Sequence, residues 1–313
     1  MMRVRFPSPA HFRPAASGGV DRLQAGSPIL VLVLIAQISD CHIRDNVGMF
    51  GGLVDTSETL ARVVDHLNGL NPAPDVVLAT GDLTDDGTEI QYSMFLDLVA
   101  GLEIPLLPLP GNHDVWDAFR SAFADRLPAT IAEGHCSYVV DSHPVRLVGL
   151  DTLIPGRHDG RFHEGHEEWL DAVLQVQPDR PTLVFTHFPP FTSGLTFMDL
   201  AGLDGADRLR SVLERHPQVK LLVAGHIHRP IQTTIGSTLV SVCPSTGNQL
   251  GLELDPMSGS AVDEPPAYQL HCWDGDRFVT HTATMWEGRR MDLSDFIADV
   301  HRRAATGEGS PRS

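Results

Sequence analysis

Five apolar runs in this chain stop abruptly at Asp, Asn or His, and that recurrence restricts the fold more than any bulk property. The clearest spans residues 104–114, where an apolar stretch reaches Pro110 and is followed by Gly111-Asn112-His113-Asp114. Gly111 tolerates backbone angles closed to other residues, so it can turn a strand end into a tight loop. Such a loop presents Asn112 and His113 at the carboxyl end of a buried strand, the rim of an α/β sheet where ligands bind. Four further runs behave alike: 29–36 leads on to Asp40-Cys41-His42, 75–80 to Gly81-Asp82, 182–186 to His187, and 219–224 to Gly225-His226-Ile227-His228. Singly, each polar group has a plain explanation as a turn, a cap or a packed histidine. Five together at strand ends imply one site on a shared rim.

In chain order, residues 1–27 are rich in Arg, Pro, Ser, Gly and Ala without apolar period, and read as a disordered extension. Residues 29–36 imitate a signal-peptide core, but cleavage near Ala36 would remove the strand supporting Asp40 and His42. They are therefore read as a first strand. A Gly-rich loop (48–52) precedes a helix over 55–69, with Leu60, Val63, Val64 and Leu67 on one face and Asp55 or Thr56 as cap. A strand at 75–80, an amphipathic helix at 89–100 and the strand before Asn112 follow, an alternation that indicates parallel pairing. Further strands are predicted at 136–140, 145–151, 182–186 and 219–224, with helices at 165–176 and 204–216. Short strands at 231–235, 238–243, 268–273 and 277–283 suggest an antiparallel end to a second sheet. The domain is taken as 28–285, with the Gly/Pro-rich loop 244–267 as a cap or oligomer element. Residues 286–313 then form a C-terminal helix and disordered tail.

The formal net charge of −17 repels phosphate polymers at long range, which argues against a nucleic-acid polymer as substrate. Cys41, Cys136, Cys243 and Cys272 lack short paired spacing and read as reduced thiols of a cytoplasmic protein, although Cys243 and Cys272 could face each other on neighbouring strands. No run is long enough to span a bilayer, so no membrane partner is expected.

The gathered candidates are Asp40, His42, Asp82, Asn112, His113, His187, His226 and His228. Carboxylate and amide oxygens mixed with imidazoles suit Zn, Mn, Fe, Co or Ni rather than Ca or Mg. Seven ligands exceed the needs of one ion and suit two sharing a carboxylate. His226 and His228, as alternate residues on a strand, would point the same way, whereas Cys41 would point away from its neighbours. His158, His163 and His166 read as solvated residues of a Gly-rich loop before a helix.

The ordered set Asp40-x-His42, Gly81-Asp82, Gly111-Asn112-His113-Asp114, His187 and Gly225-His226-x-His228 resembles the calcineurin-like metallophosphoesterases over residues 29–283. Leu150-Asp151-Thr152 with Pro155-Gly156, and Thr186-His187-Phe188-Pro189-Pro190, look like the class III cyclic-nucleotide phosphodiesterases and, equally, the bacterial glycerophosphodiesterases. Protein Ser/Thr phosphatases differ at the positions of Asp86 and Asp114, and purple acid phosphatases carry Tyr where this chain has Asp85.

The resemblance implies an α/β four-layer αββα sandwich of two mixed sheets, with a dinuclear centre at the strand carboxyl ends. It implies two divalent or trivalent ions from among Fe, Mn, Zn and Co. Asp40, His42, Asp82 and His228 would hold one; Asp82, Asn112, His187 and His226 would hold the other, with Asp82 bridging. His113 would be catalytic, stabilising charge or protonating the leaving oxygen, with Asp85 orienting it. The implied reaction is hydrolysis of small phosphodiesters by a metal-bridging hydroxide, with 3′,5′-cyclic nucleotides (cAMP, cGMP) ranked first and glycerophosphodiesters second. A nuclease fits the acidic surface poorly, and a metal-free protein-binding scaffold conflicts with a complete ligand set. A small phosphodiester is thus the expected partner, and a homodimer or higher homo-oligomer is compatible with it. The motifs contain no Arg or Lys to meet the extra charge of a monoester, though Arg44, Arg157 or Arg161 could fold over the site.

Overall fold

The computed structural model describes residues 32–46, 53–127, 132, 134–285 and 291–306. The N-terminal extension and the 48–52 loop read from the sequence lie outside them. In chain order the first half comprises β1 (Val33–Ile38), α1 (Thr56–Asn68), β2 (Val76–Thr80), α2 (Glu89–Val99), β3 (Leu106–Leu109), α3 (Trp116–Ala122), β4 (Tyr138–Val140) and β5 (Arg146–Leu150). Then come β6 (Gly160–Arg161), α4 (Glu164–Val176), β7 (Thr182–Thr186), α5 (Thr196–Asp199), β8 (Leu203–Asp204), α6 (Ala206–Arg215), β9 (Val219–Ala224), β10 (Ile231–Ile235) and β11 (Thr238–Val242). The chain continues through β12 (Gln249–Leu250), β13 (Ala261–Val262), β14 (Ala267–Trp273), β15 (Phe278–Thr284) and α7 (Ser294–Thr306). Helix α7 belongs to a separate compact unit, and everything below concerns the unit spanning Leu30–Gly288.

Two mixed sheets carry the architecture. One has the order β15-β14-β1-β2-β3 and the other β10-β11-β9-β7-β5-β4. β1, β2 and β3 run parallel, as do β5, β7, β9 and β11, so the helical crossovers lie on the outer faces. The expected second-sheet ending is only half right. β10 and β11 extend the second sheet, but β14 and β15 return to the first and pair antiparallel beside β1. Short β-strands look alike in sequence, and only long-range pairing decides which edge they join.

Alternation along each strand builds the layers. Val33 and Ile35 face an inter-sheet core with Leu78, Leu147, Leu183, Phe185 and Leu221, whereas Ala36 and Ile38 face the helices. Leu60, Val63 and Leu67 of α1 pack there with Tyr92, Phe95 and Phe119, and Leu170, Leu174, Leu209 and Leu213 cover the other sheet. The result is the αββα sandwich. α1 begins as its sequence predicts, with the Asp55 side chain accepting from the backbone N–H of Ser57 and Glu58 at 3.0 Å each. All four cysteines are free. Cys272 lies in the first sheet and Cys243 follows β11 in the second, so they are not on neighbouring strands. Among the described residues no helix is long and apolar enough to cross a membrane.

Candidate metal centre

The parallel strands deliver their carboxyl ends to one rim, where the loops after β1, β2, β3, β7 and β9 converge. All seven residues proposed as ligands sit in those loops, and Asp82 stands between the two halves. Its Oδ2 lies 3.6 Å from His42 Nε2 and 3.4 Å from His187 Nε2. Donor atoms of Asp40, His42, Asp82 and His228 lie within 4.8 Å of one another, as do those of Asp82, His187 and His226. Asn112 Oδ1 joins the second group, 3.1 Å from His187 Nε2.

Backbone conformation makes the convergence possible. Among the described residues, every non-glycine residue with positive φ is a proposed ligand: Asp40 (53°), His42 (45°), Asp82 (51°), His226 (72°) and His228 (52°). This region costs an L-residue about 1–3 kcal/mol, so the surrounding packing must enforce it. His226 and His228 therefore converge for a different reason from the one their spacing suggested. β9 ends at Ala224, and both side chains are aimed by a left-handed loop rather than by strand alternation. Cys41 likewise is not on a strand, though it is packed, fully buried between the first sheet and its helices. Glycine is required where the loops cross. A Cβ on Gly225 would collide with Ser39 Oγ, and one on Gly81 (φ 91°) with the His187 ring.

Three of the imidazoles are aimed by their remote nitrogen. Nδ1 of His42 donates to Asp85 Oδ1 (2.9 Å), that of His187 to the Thr80 carbonyl (2.8 Å), and that of His228 to the Asn248 carbonyl (2.8 Å). Nε2 is thereby left with its lone pair toward the centre in all three. His42 Nε2 and His228 Nε2 face each other at 3.2 Å, a distance that calls for a proton or a cation between two lone pairs. His226 Nε2 is buried with no hydrogen-bond partner at all. Burial pushes His226 down to about 3, so it stays a neutral donor. Burial also works against ionised Asp40 and Asp82, but the adjoining imidazoles more than offset it and hold both below the usual carboxylate range. Two anionic carboxylates among inward-facing lone pairs fit cations well.

His113 sits apart. Its backbone N–H donates to Asp82 Oδ1 (2.9 Å), and its Nδ1 donates to the Asp85 carbonyl (2.8 Å). A cavity of about 400 Å³ opens beside it, lined by Asp86, Asn112 and Trp116 and by Pro155, Arg157 and His158. The His158 ring is 5.8 Å from that of His113. Exposure of His158 and His163 agrees with their reading as solvated residues, but His166 is buried and His163 caps α4, accepting from the Gly165 N–H at 3.0 Å. Histidine as a cap lacks the Ser/Asp signal that would have announced it.

Other parts escaped the sequence reading. Asp114 is buried and accepts from the Leu83, Thr84 and Gly111 N–H groups and from the hydroxyls of Thr84 and Tyr92, at 2.8–3.3 Å. It ties the β2 loop to the β3 loop. The carbonyls of Thr80 and Asn248 have no side-chain signature, so nothing in the sequence could reveal them.

A family model for the calcineurin-like phosphoesterases matches residues 33–230. The chain belongs to this family. This calcineurin-like phosphoesterase is 34% identical over 254 residues to a probable glycerophosphodiester phosphodiesterase GpdQ of Arcobacter nitrofigilis, spanning 80% of this chain and 93% of that one. It is 32% identical over 216 residues to the 3′,5′-cyclic adenosine monophosphate phosphodiesterase CpdA of Escherichia coli, spanning 68% and 76%. Its fold matches a dimetal phosphatase from Danio rerio with a TM-score of 0.62 at 17% identity, over 82% of this chain and 98% of that one. The family and these relatives make the chain a hydrolase acting on phosphodiesters, and its Asp/His clusters point to two metal ions.

Proposed function

We propose that this phosphodiesterase acts on small diesters with a separate alcohol leaving group, glycerophosphodiesters before 3′,5′-cyclic nucleotides. The observation that carries the order is the cavity next to His113. An acyclic diester has organic groups on both sides of phosphorus, and the cavity offers the second of them a place beyond the leaving oxygen. This order reverses the ranking expected from the motifs alone. Cyclic nucleotides remain the second reading because Trp116 and His158 border the cavity as rings on which a base can stack.

Preference for diesters rests on charge. Each arginine that could have met a dianion is engaged by a carboxylate: Arg44 by Asp85 (3.2 Å), Arg157 by Asp159 (2.6 Å) and Arg161 by Asp204 (2.9 Å). A monoester brings about one more negative charge near neutral pH.

Ions from among Fe, Mn, Zn and Co, held by Asp40, His42, Asp82 and His228 and by Asp82, Asn112, His187 and His226, would neutralise phosphate charge and acidify a water. The protein supplies the rest. Asp82 Oδ1 is occupied by the His113 N–H, which leaves Oδ2 to be shared. His113 Nδ1 donates to the Asp85 carbonyl, which leaves Nε2 for the cavity; as an imidazolium, His113 gives its Nε2 proton to a departing alkoxide.

Steady-state kcat/KM for glycerophosphocholine, cyclic AMP and p-nitrophenyl phosphate on one Mn-loaded preparation tests the order. Glycerophosphocholine is expected to lead and p-nitrophenyl phosphate to trail; a clear preference for the monoester would sink the assignment.

A further inference from the structure

The seven proposed ligands come from two different sheets. Asp40, His42, Asp82 and Asn112 follow strands of the first, whereas His187, His226 and His228 follow strands of the second. Apolar packing holds the sheets face to face, but such contacts are non-directional and do not fix how far one sheet slides along the other. Something directional must set that register just beneath the rim.

Gln37 is placed to do so. It lies on β1 on the inter-sheet side, fully buried, where its neighbours Val33 and Ile35 are apolar. A buried amide is costly unless its hydrogen-bonding capacity is used. Here Nε2 donates to Thr80 Oγ1 in the first sheet (2.9 Å) and to the Ala224 carbonyl in the second (2.9 Å). Thr80 is the last residue of β2 before Gly81-Asp82, and Ala224 the last of β9 before Gly225-His226. The Thr80 carbonyl in turn accepts from His187 Nδ1. One amide nitrogen thus ties together the two strand ends from which Asp82 and His226 depart.

The amide is itself held. Gln37 Oε1 accepts from His271 Nε2 (3.1 Å), and His271 Nδ1 accepts from the Thr280 hydroxyl (2.9 Å) on β15. Burial keeps His271 neutral, pushed down to about 3, so one nitrogen donates while the other accepts. The Ala224 carbonyl fixes the orientation of the Gln37 amide, because a flipped amide would set Oε1 against it, and Oε1 is thereby left for the His271 Nε2–H.

We propose that Gln37, bonded to His271, is a positioning residue that sets the register of the two sheets and hence the spacing of the two ion sites. The inference rests on the dinuclear reading above. It explains a polar chain, Thr280–His271–Gln37, that reaches the base of the site, whereas the other buried inter-sheet amide, Gln269, bonds to Ser241 Oγ (2.9 Å) and the Val242 carbonyl (3.1 Å) of β11.

The test compares wild type, Gln37→Met, which keeps the volume but no hydrogen bonds, and Leu183→Met, a swap in the same apolar layer with no link to the register. Each is loaded with Mn(II) and read by electron paramagnetic resonance for exchange coupling, and by kcat and KM for bis(p-nitrophenyl) phosphate. Gln37→Met is expected to change the coupling and to lower kcat or second-ion affinity about 10–100-fold, the range for groups that support metal ligands. KM should move little, and Leu183→Met should retain wild-type coupling. If Gln37→Met does not fold, Thr80→Val, which spares the Gln37–Ala224 bond but removes the Gln37–Thr80 bond and that from Thr80 Oγ1 to the Ile38 carbonyl (3.3 Å), should give the same change in smaller measure. Wild-type coupling and kcat in a folded Gln37→Met or Thr80→Val protein would overturn the inference. Failure of the wild type to show a coupled pair would instead overturn the dinuclear reading beneath it.

Discussion

His113 donates Nδ1–H to the main-chain carbonyl of Asp85 at 2.8 Å, while the Asp85 carboxylate, 3.8 Å away, turns to His42 and Arg44 instead. One residue therefore steadies two histidines by two chemically independent groups. Asp85→Asn should leave the orientation of His113 intact, since the carbonyl is unchanged. It should weaken the ion held by His42 about 10–100-fold. Metal titration by calorimetry checks this; unchanged affinity at both sites would refute the carboxylate's role.

His113→Ala should retain near-normal metal content and lose turnover by about 10²–10⁴, the usual worth of an acid or charge-stabilising group. The loss should be smaller for nitrophenyl esters, whose leaving group departs without a proton. Equal losses across leaving groups would argue for charge stabilisation alone.

Asp82→Ala should behave in the opposite way. Because Asp82 Oδ2 stands between His42 and His187, both ion sites lose a ligand and nearly all activity should vanish. Elemental analysis showing two ions per chain with normal turnover would reject the shared-carboxylate assignment.

Metal-free protein should lose stability as pH rises from about 6.5 to about 9. Burial disfavours charged His187, but the Asp82 carboxylate outweighs it and raises the imidazole from 6.5 to about 9. His228 is raised in the same direction, where Asp40 overcomes burial. A folded-state pKa above the unfolded value gives stability that is complete below 6.5 and disappears as pH climbs through the folded value. Thermal melts in chelator across this window should show a falling Tm. His187→Asn should remove much of the slope, and Mn should flatten it; a flat or rising Tm without metal would contradict the pairing.

Asp114→Ala should destabilise the fold by about 3 kcal/mol or more, since it strands buried donors from two loops at once. Chemical denaturation measures this, and a loss below about 1 kcal/mol would mean water replaces the carboxylate.

Sequence reading recovered the parallel strands and the residues at their ends because period and punctuation are local: an apolar run stopping at Gly81-Asp82 or Gly111-Asn112 is visible without the fold. It missed what depends on distant partners. β14 and β15 joined the first sheet through pairing with β1, more than 200 residues earlier. Likewise, the aim of His226 and His228 came from left-handed backbone rather than from their spacing. The carbonyls of Thr80 and Asn248 are invisible in any sequence, since every residue has one.

The cavity beside His113 is lined in part by Pro155 to His158, a segment contributing none of the proposed ligands and anchored at its base by the Leu153–Gly160 bridge. On the proposed reading, this segment shapes what enters the cavity, while Asn112 and His113 line it from the rim that carries the chemistry. A handful of codon changes between those anchors can reshape what enters while the strained, close-packed rim stays as it is. The family's spread of phosphodiester substrates then needs no new reaction centre, and directed evolution of this enzyme has a natural starting point in residues 154–159.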